Sequence, residues 1–114
     1  MTIAFDSPKH EGLANDRDKL AKWCNKKTTA TAEVVMLALN ALRASPNLAE
    51  LPPVPYHPHP LKQNYKGCFA VWVNKKERII FRLDPDQNPP AIIYNYQTIN
   101  SIVIVELCTD YHGR

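Results

Sequence analysis

The chain has 114 residues, 45% of them hydrophobic and 22% charged, with a formal net charge of +3 at pH 7. These values describe one ordinary globular domain over residues 1–114. No apolar run approaches the ~20 residues that span a bilayer. Met1–Asp6 shows no basic segment followed by an apolar stretch, so no secretory signal is expected and the expected compartment is the cytoplasm.

Thr2–Phe5 reads as a short strand. Ser7-Pro8 is a helix start, a capping residue followed by proline in the first turn, and Asn15 with Asp18 three residues later is a competing one. From there to about Lys27, Leu13, Leu20 and Cys24 fall on one helical face. Lys26-Lys27 complement the dipole at its end. A second helix is predicted from about Thr31 to Ala44. Val35, Ala38, Leu39 and Leu42 share a face there, and Val34, Leu37 and Ala41 widen it, as burial against a sheet requires. Ser45-Pro46 ends it. The short joint Lys27–Ala30 makes the two helices an antiparallel hairpin.

Leu51–Pro60 holds Pro52, Pro53, Pro55, Pro58 and Pro60, a density that neither a helix nor a central strand tolerates. It reads as a stiff surface connector inside one domain. Cys68–Asn74 alternates, with Phe69, Val71 and Val73 on one face and Ala70 and Trp72 on the other. Arg78–Leu83 alternates as well, and Asn74–Glu77 supplies the hairpin turn between them. Asp84–Pro90 is a polar loop and Ala91–Tyr96 a candidate further strand. Ile102–Thr109 is apolar on both faces and therefore central. The expected architecture is α+β, an N-terminal helical hairpin packed on a small, mainly antiparallel sheet.

Three cysteines, Cys24, Cys68 and Cys108, stand at wide spacings. They fit neither a disulfide framework nor a C-x-x-C pair and read as small buried hydrophobes. The chemistry-bearing residues are elsewhere. Asp110, Tyr111 and His112 cap the most apolar strand, where polar groups are held rigidly yet reach solvent. His10 and His57 read as surface residues with no catalytic role. His59 differs, because Pro58 and Pro60 restrict its backbone. Between Lys62 and Arg82 lie Lys62, Lys66, Lys75, Lys76, Arg78 and Arg82 against a single acid, Glu77. That local basic field suits an anionic partner, although a solvated lysine-rich hairpin has the same composition.

If the last strand lies beside Arg78–Leu83, then Asp110, Tyr111, His112 and Arg78 converge at one sheet end, and His59 reaches the same place. The set suits metal-free cleavage of RNA, in which the 2′-hydroxyl attacks the adjacent phosphate. Imidazoles can remove its proton and protonate the leaving 5′-oxygen. Lys62 and Arg78 can stabilise the charge on the phosphate. Tyr111 can stack on a base or donate its hydroxyl, and Asp110 can orient His112 or raise its pKa. The competing reading is a surface with scattered polar residues. His57 and His59 at i, i+2 match no standard metal-ligand spacing, and three glycines leave no phosphate-cradling loop. No metal and no cofactor are expected.

His59-Pro60-Leu61-Lys62, then Lys66-Gly67, an alternating strand, Arg78-Ile79-Ile80-Phe81-Arg82 and Asp110-Tyr111-His112 resemble the RelE/ParE toxin superfamily. The branch they are most similar to is the HigB type, whose opening Lys9-His10-Glu11-Gly12-Leu13 also resembles. The resemblance runs from about residue 9 to 112. It implies the α+β fold above and a ribosome-dependent endoribonuclease that cuts the mRNA codon in the A site. It also implies a cognate antitoxin, in this branch often a helix-turn-helix DNA-binding protein, and no membrane partner. The family's functional positions carry over to His59, Asp110, Tyr111 and His112, with Lys62 and Arg78 as charge stabilisers. Lys66, Lys75, Lys76 and Arg82 are the candidate RNA- and ribosome-binding cations. The chain departs from the family pattern at Gln63, where glycine is common, at Glu77, where an aromatic is common, and in the longer stretch Asp84–Asn100. A second hypothesis keeps the scaffold without the nuclease, as a ParE-like gyrase poison or an inactive relative that only binds its antitoxin.

Overall fold

The computed structural model describes residues 1–85 and 95–110. Among them the order is β1 (Thr2–Phe5), α1 (Pro8–Ala14), α2 (Arg17–Lys27), α3 (Ala32–Ala44), β2 (His59–Pro60), β3 (Cys68–Trp72), β4 (Arg78–Leu83) and β5 (Ser101–Thr109). Short 3-10 turns occupy Leu48–Glu50, Gln63–Tyr65 and Tyr96–Thr98. A single helical turn at Pro53–Tyr56 is interrupted by extended Val54. The sheet order is β1-β5-β4-β3-β2, with β1 parallel to β5 and every other pair antiparallel. This is the expected class, helices on a mainly antiparallel sheet. No helix is long and apolar enough to cross a membrane.

Both competing helix starts are used, so the predicted first helix is two. Pro8 opens α1, and Asn15 is the C-cap that follows it rather than the next N-cap. Asp16 caps α2 by accepting from the Lys19 N–H at 3.1 Å, and Thr31 caps α3 by accepting from Val34 N–H at 3.3 Å. Leu20 and Cys24 of α2 and Val35, Ala38, Leu39 and Leu42 of α3 are buried. The α3 stripe is narrower than its composition implies, since Leu37 is 57% exposed. The N-terminal ammonium donates to the carbonyls of Leu42, Arg43 and Ser45, which ties β1 to the negative end of α3.

Phe69, Val71, Ile79, Phe81, Ile102, Ile104 and Leu107 meet the helices in one core, where the Phe69 and Phe81 rings stack at 5.8 Å. β5 is central, as its two apolar faces require. Its register against β4 slips twice, so Arg78 faces Thr109, Ile80 faces Glu106 and Phe81 faces Ile104. Such bulges let Ile104 and Leu107, three apart, both point inward, and they bend the strand that leads to Asp110. Cys24 and Cys108 are buried and Cys68 half-buried. Burial pushes all three thiols up, that of Cys108 to about 12.

Two further differences matter for the site. The proline-rich passage is more than a connector, because His59–Pro60 pairs with β3 as the edge strand. Proline lacks an N–H, and an edge strand needs hydrogen bonds on one side only. Tyr96 lies in a 3-10 turn, while residues 91–94 of the candidate strand Ala91–Tyr96 fall outside the described residues.

Candidate functional site

Successive strand residues point to opposite faces. With Phe69, Val71, Ile79 and Phe81 turned to the helices, Ala70, Trp72, Arg78 and Ile80 lie on the helix-free face. His59 pairs directly with Ala70 and so shares that face. Trp72 pairs with Arg78, and Arg78 pairs with Thr109. β5 lies beside β4, as the expectation required, and Asp110 follows at the Arg78 end, half-buried; His59 is on β2, three inter-strand steps from β5, and does not converge with Asp110. Tyr111 and His112 lie outside the described residues.

His59 is half-buried on β2. Its Nδ1 is 2.7 Å from the carbonyl oxygen of His57. His57 closes the Pro53–Tyr56 turn in a left-handed conformation, φ 45° and ψ 56°, and its N–H donates to the Pro53 carbonyl at 2.8 Å. The His57 ring rests against Trp72, with centroids 4.3 Å apart. The Arg78 guanidinium carbon is 4.2 Å from the Trp72 ring centroid. Arg78 is only 5% exposed, and its Nη1 donates to the carbonyls of Asn74 at 2.8 Å and Glu77 at 3.0 Å. Its charge is thus a fixed one at the head of β4 rather than a mobile surface cation.

The six cations do not form one field. Lys75 and Lys76 are exposed at the β3–β4 turn, while Lys62 and Lys66 are exposed at the opposite end of β3, roughly 15 Å away for a strand of this length. Arg82 belongs with the second group. A cleft of about 390 Å³ there is lined by Leu61, Lys62, Lys66, Phe69, Arg82 and Leu83 among others. Arg82 Nη2 also reaches Asp6 Oδ1 at 3.4 Å in an exposed pair. Glu77 is set apart from all of them. It is 4% exposed and accepts from Thr29 N–H and Oγ1 at 3.2 and 2.5 Å and from Asn74 Nδ2 at 3.0 Å.

No family model matches this chain. No curated protein matches it. Among solved structures, the YoeB-YefM complex from Staphylococcus aureus aligns with a TM-score of 0.49 and 18% identity, over 96% of this chain and 94% of that one. This is a distant likeness of backbone path and assigns the chain no activity.

His57 and Trp72 adjoin His59 and Arg78 and were not among the sequence candidates. The left-handed turn that brings His57 to Trp72 leaves no periodic signal in the sequence, while the signal for Trp72 was present. Trp72 shares the alternation of Ala70 and so faces away from the helices.

Proposed function

We propose that this chain is the toxin of a toxin–antitoxin pair, of the RelE/ParE superfamily and its HigB-type branch, and a ribosome-dependent endoribonuclease acting on mRNA in the A site. The observation that carries the reading is the 2.7 Å contact between His59 Nδ1 and the His57 carbonyl. A carbonyl oxygen only accepts, so Nδ1 bears a proton, and whenever the ring is neutral its lone pair is at Nε2. This is the tautomer of a general base, held half-buried on the edge strand β2, three inter-strand steps from β5.

In the proposed reaction Nε2 of His59 takes the 2′-hydroxyl proton, and the 2′-oxygen attacks phosphorus. The P–O5′ bond breaks, leaving a 2′,3′-cyclic phosphate and a 5′-hydroxyl. His112 supplies the proton to the 5′-oxygen, Asp110 orients it, and Tyr111 stacks on a base or donates its hydroxyl. Arg78 contributes its buried, fixed charge and Lys62 its exposed one to the phosphate oxygens. Lys66, Lys75, Lys76 and Arg82 engage RNA and ribosomal phosphates. The chemistry calls for no cofactor. The partners are a cognate helix-turn-helix antitoxin and the translating ribosome, which sets the cytoplasm as the place of action.

The test is primer extension on ribosomes programmed with an mRNA that carries one 2′-deoxy nucleotide at the cut position. The all-ribose message should be cut there and the deoxy message left intact. Cutting of both would overturn 2′-hydroxyl attack. Growth arrest with both messages intact would favour the non-nuclease reading.

A further inference from the structure

Three flat groups, Arg78, Trp72 and His57, cluster around the Trp72 indole on the helix-free face, and the proton transfers above leave the cluster unused. We infer that His57 is the outer ring of a platform that receives a nucleobase of the bound RNA, beside the phosphate served by His59. This rests on RNA being the substrate. Trp72 and Arg78 are direct partners across β3 and β4, and the guanidinium lies over the indole at 4.2 Å, well inside cation–π range. The His57 ring meets the same indole at 4.3 Å with a 48° tilt. Trp72 is half-buried and His57 exposed, so the face that solvent reaches is the imidazole.

The placement of that imidazole is specific. A histidine at φ 45° holds a backbone conformation that non-glycine residues disfavour, and such residues persist where their surroundings over-determine them. Here the surroundings are the Pro53 carbonyl, which receives the His57 N–H, the His59 ring at the His57 carbonyl and the indole under the side chain. His57 itself is outside the helix-side core, and the turn it closes seats Tyr56 against that core. The turn also secures a fixed, exposed π-face whose main chain orients the proposed base. The His59 ring is hydrogen-bonded to the His57 main chain, so a base stacked on His57 holds its own sugar and phosphate near His59. Every base has a π-face, so the platform accepts any base at that position.

The test is a fluorescence-anisotropy titration of a short single-stranded RNA whose riboses are all 2′-O-methyl, so that binding is read without cleavage. His57→Asn removes the ring and keeps a residue that tolerates left-handed backbone; His57→Tyr restores a ring. His57→Asn should weaken binding roughly ten- to hundredfold, the scale of one base–aromatic stack. His57→Tyr should bind within about threefold of wild type. An RNA with one abasic position should abolish the difference between wild type and His57→Asn. Wild-type affinity in His57→Asn, or equal loss in His57→Tyr, would overturn the platform. The two readings fail separately. Ring-dependent binding with a deoxy message still cut sinks the 2′-hydroxyl mechanism alone, and ring-independent binding with normal cleavage sinks the platform alone.

Discussion

His57 and Gln63 both stand at positive φ, 45° and 57°, and the two positions have different meanings. At His57 the strain comes with a ring contact and an oriented imidazole. At Gln63 it comes with the tight turn Gln63–Tyr65 that returns the chain toward Gly67, itself at φ 89°. The resembling toxins commonly have glycine at the position of Gln63, and the backbone now gives the reason, since glycine enters this region without a Cβ clash. Gln63→Gly should therefore stabilise the fold by about 0.5–1 kcal/mol, read as a rise of a few degrees in the thermal midpoint. A lower midpoint would mean that the glutamine side chain makes a contact worth more than the strain. At this scale the sequence was informative about His59, whose flanking prolines singled it out. It was silent about the ring's tautomer, because the partner is a main-chain carbonyl whose direction depends on one unusual φ two residues earlier.

The β3–β4 turn shows how an element can invert the meaning of a residue. Glu77 is the one acid in the basic stretch, yet its carboxylate clamps the turn to the α2–α3 joint through Thr29 and Asn74. Asn74 Oδ1 in turn accepts from the N–H groups of Lys76 at 2.9 Å and Glu77 at 2.6 Å. Burial raises the Glu77 pKa and is the largest single influence. The hydrogen bonds from Thr29 and Asn74 together outweigh it and leave the pKa below the usual 4.5. The unfolded chain then takes up a proton first as pH falls. The stabilisation is complete above pH 4.5 and is lost as pH drops through the lower folded value. Glu77→Gln should cost about 1–3 kcal/mol at pH 7 and flatten the acid limb of a urea-unfolding series. An unchanged slope below pH 4.5 would show that other carboxylates set it. Helices, the β3–β4 hairpin and the central β5 were all legible from periodicity and caps. The split of α1 from α2 was visible only as two rival start signals. The bulges in β5 and the strand pairing of His59–Pro60 were not legible, because both depend on what lies opposite in the sheet.

Among the described residues the helices cover one face of the sheet, and His59, Trp72 and Arg78 lie on the other. β5 and the edge strand β2 flank β4 and β3, so His59 and β5 are three inter-strand steps apart, roughly 14 Å across the sheet, and the end of β5 lies level with Trp72, two residues along from the Ala70 that His59 faces. On the helix-free face His59 stands on the edge strand, and Trp72 and Arg78 lie on the two strands between it and β5. The basic groups divide between the two ends of the β3–β4 hairpin, which composition alone reads as one field. The most direct test is the single-turnover rate of mRNA cleavage on programmed ribosomes, wild type against His59→Ala. With His59 as general base, the rate should fall by about 10²–10⁴ while ribosome binding persists. A His59→Ala rate within about tenfold of wild type, below the range for a lost general base, would contradict that assignment.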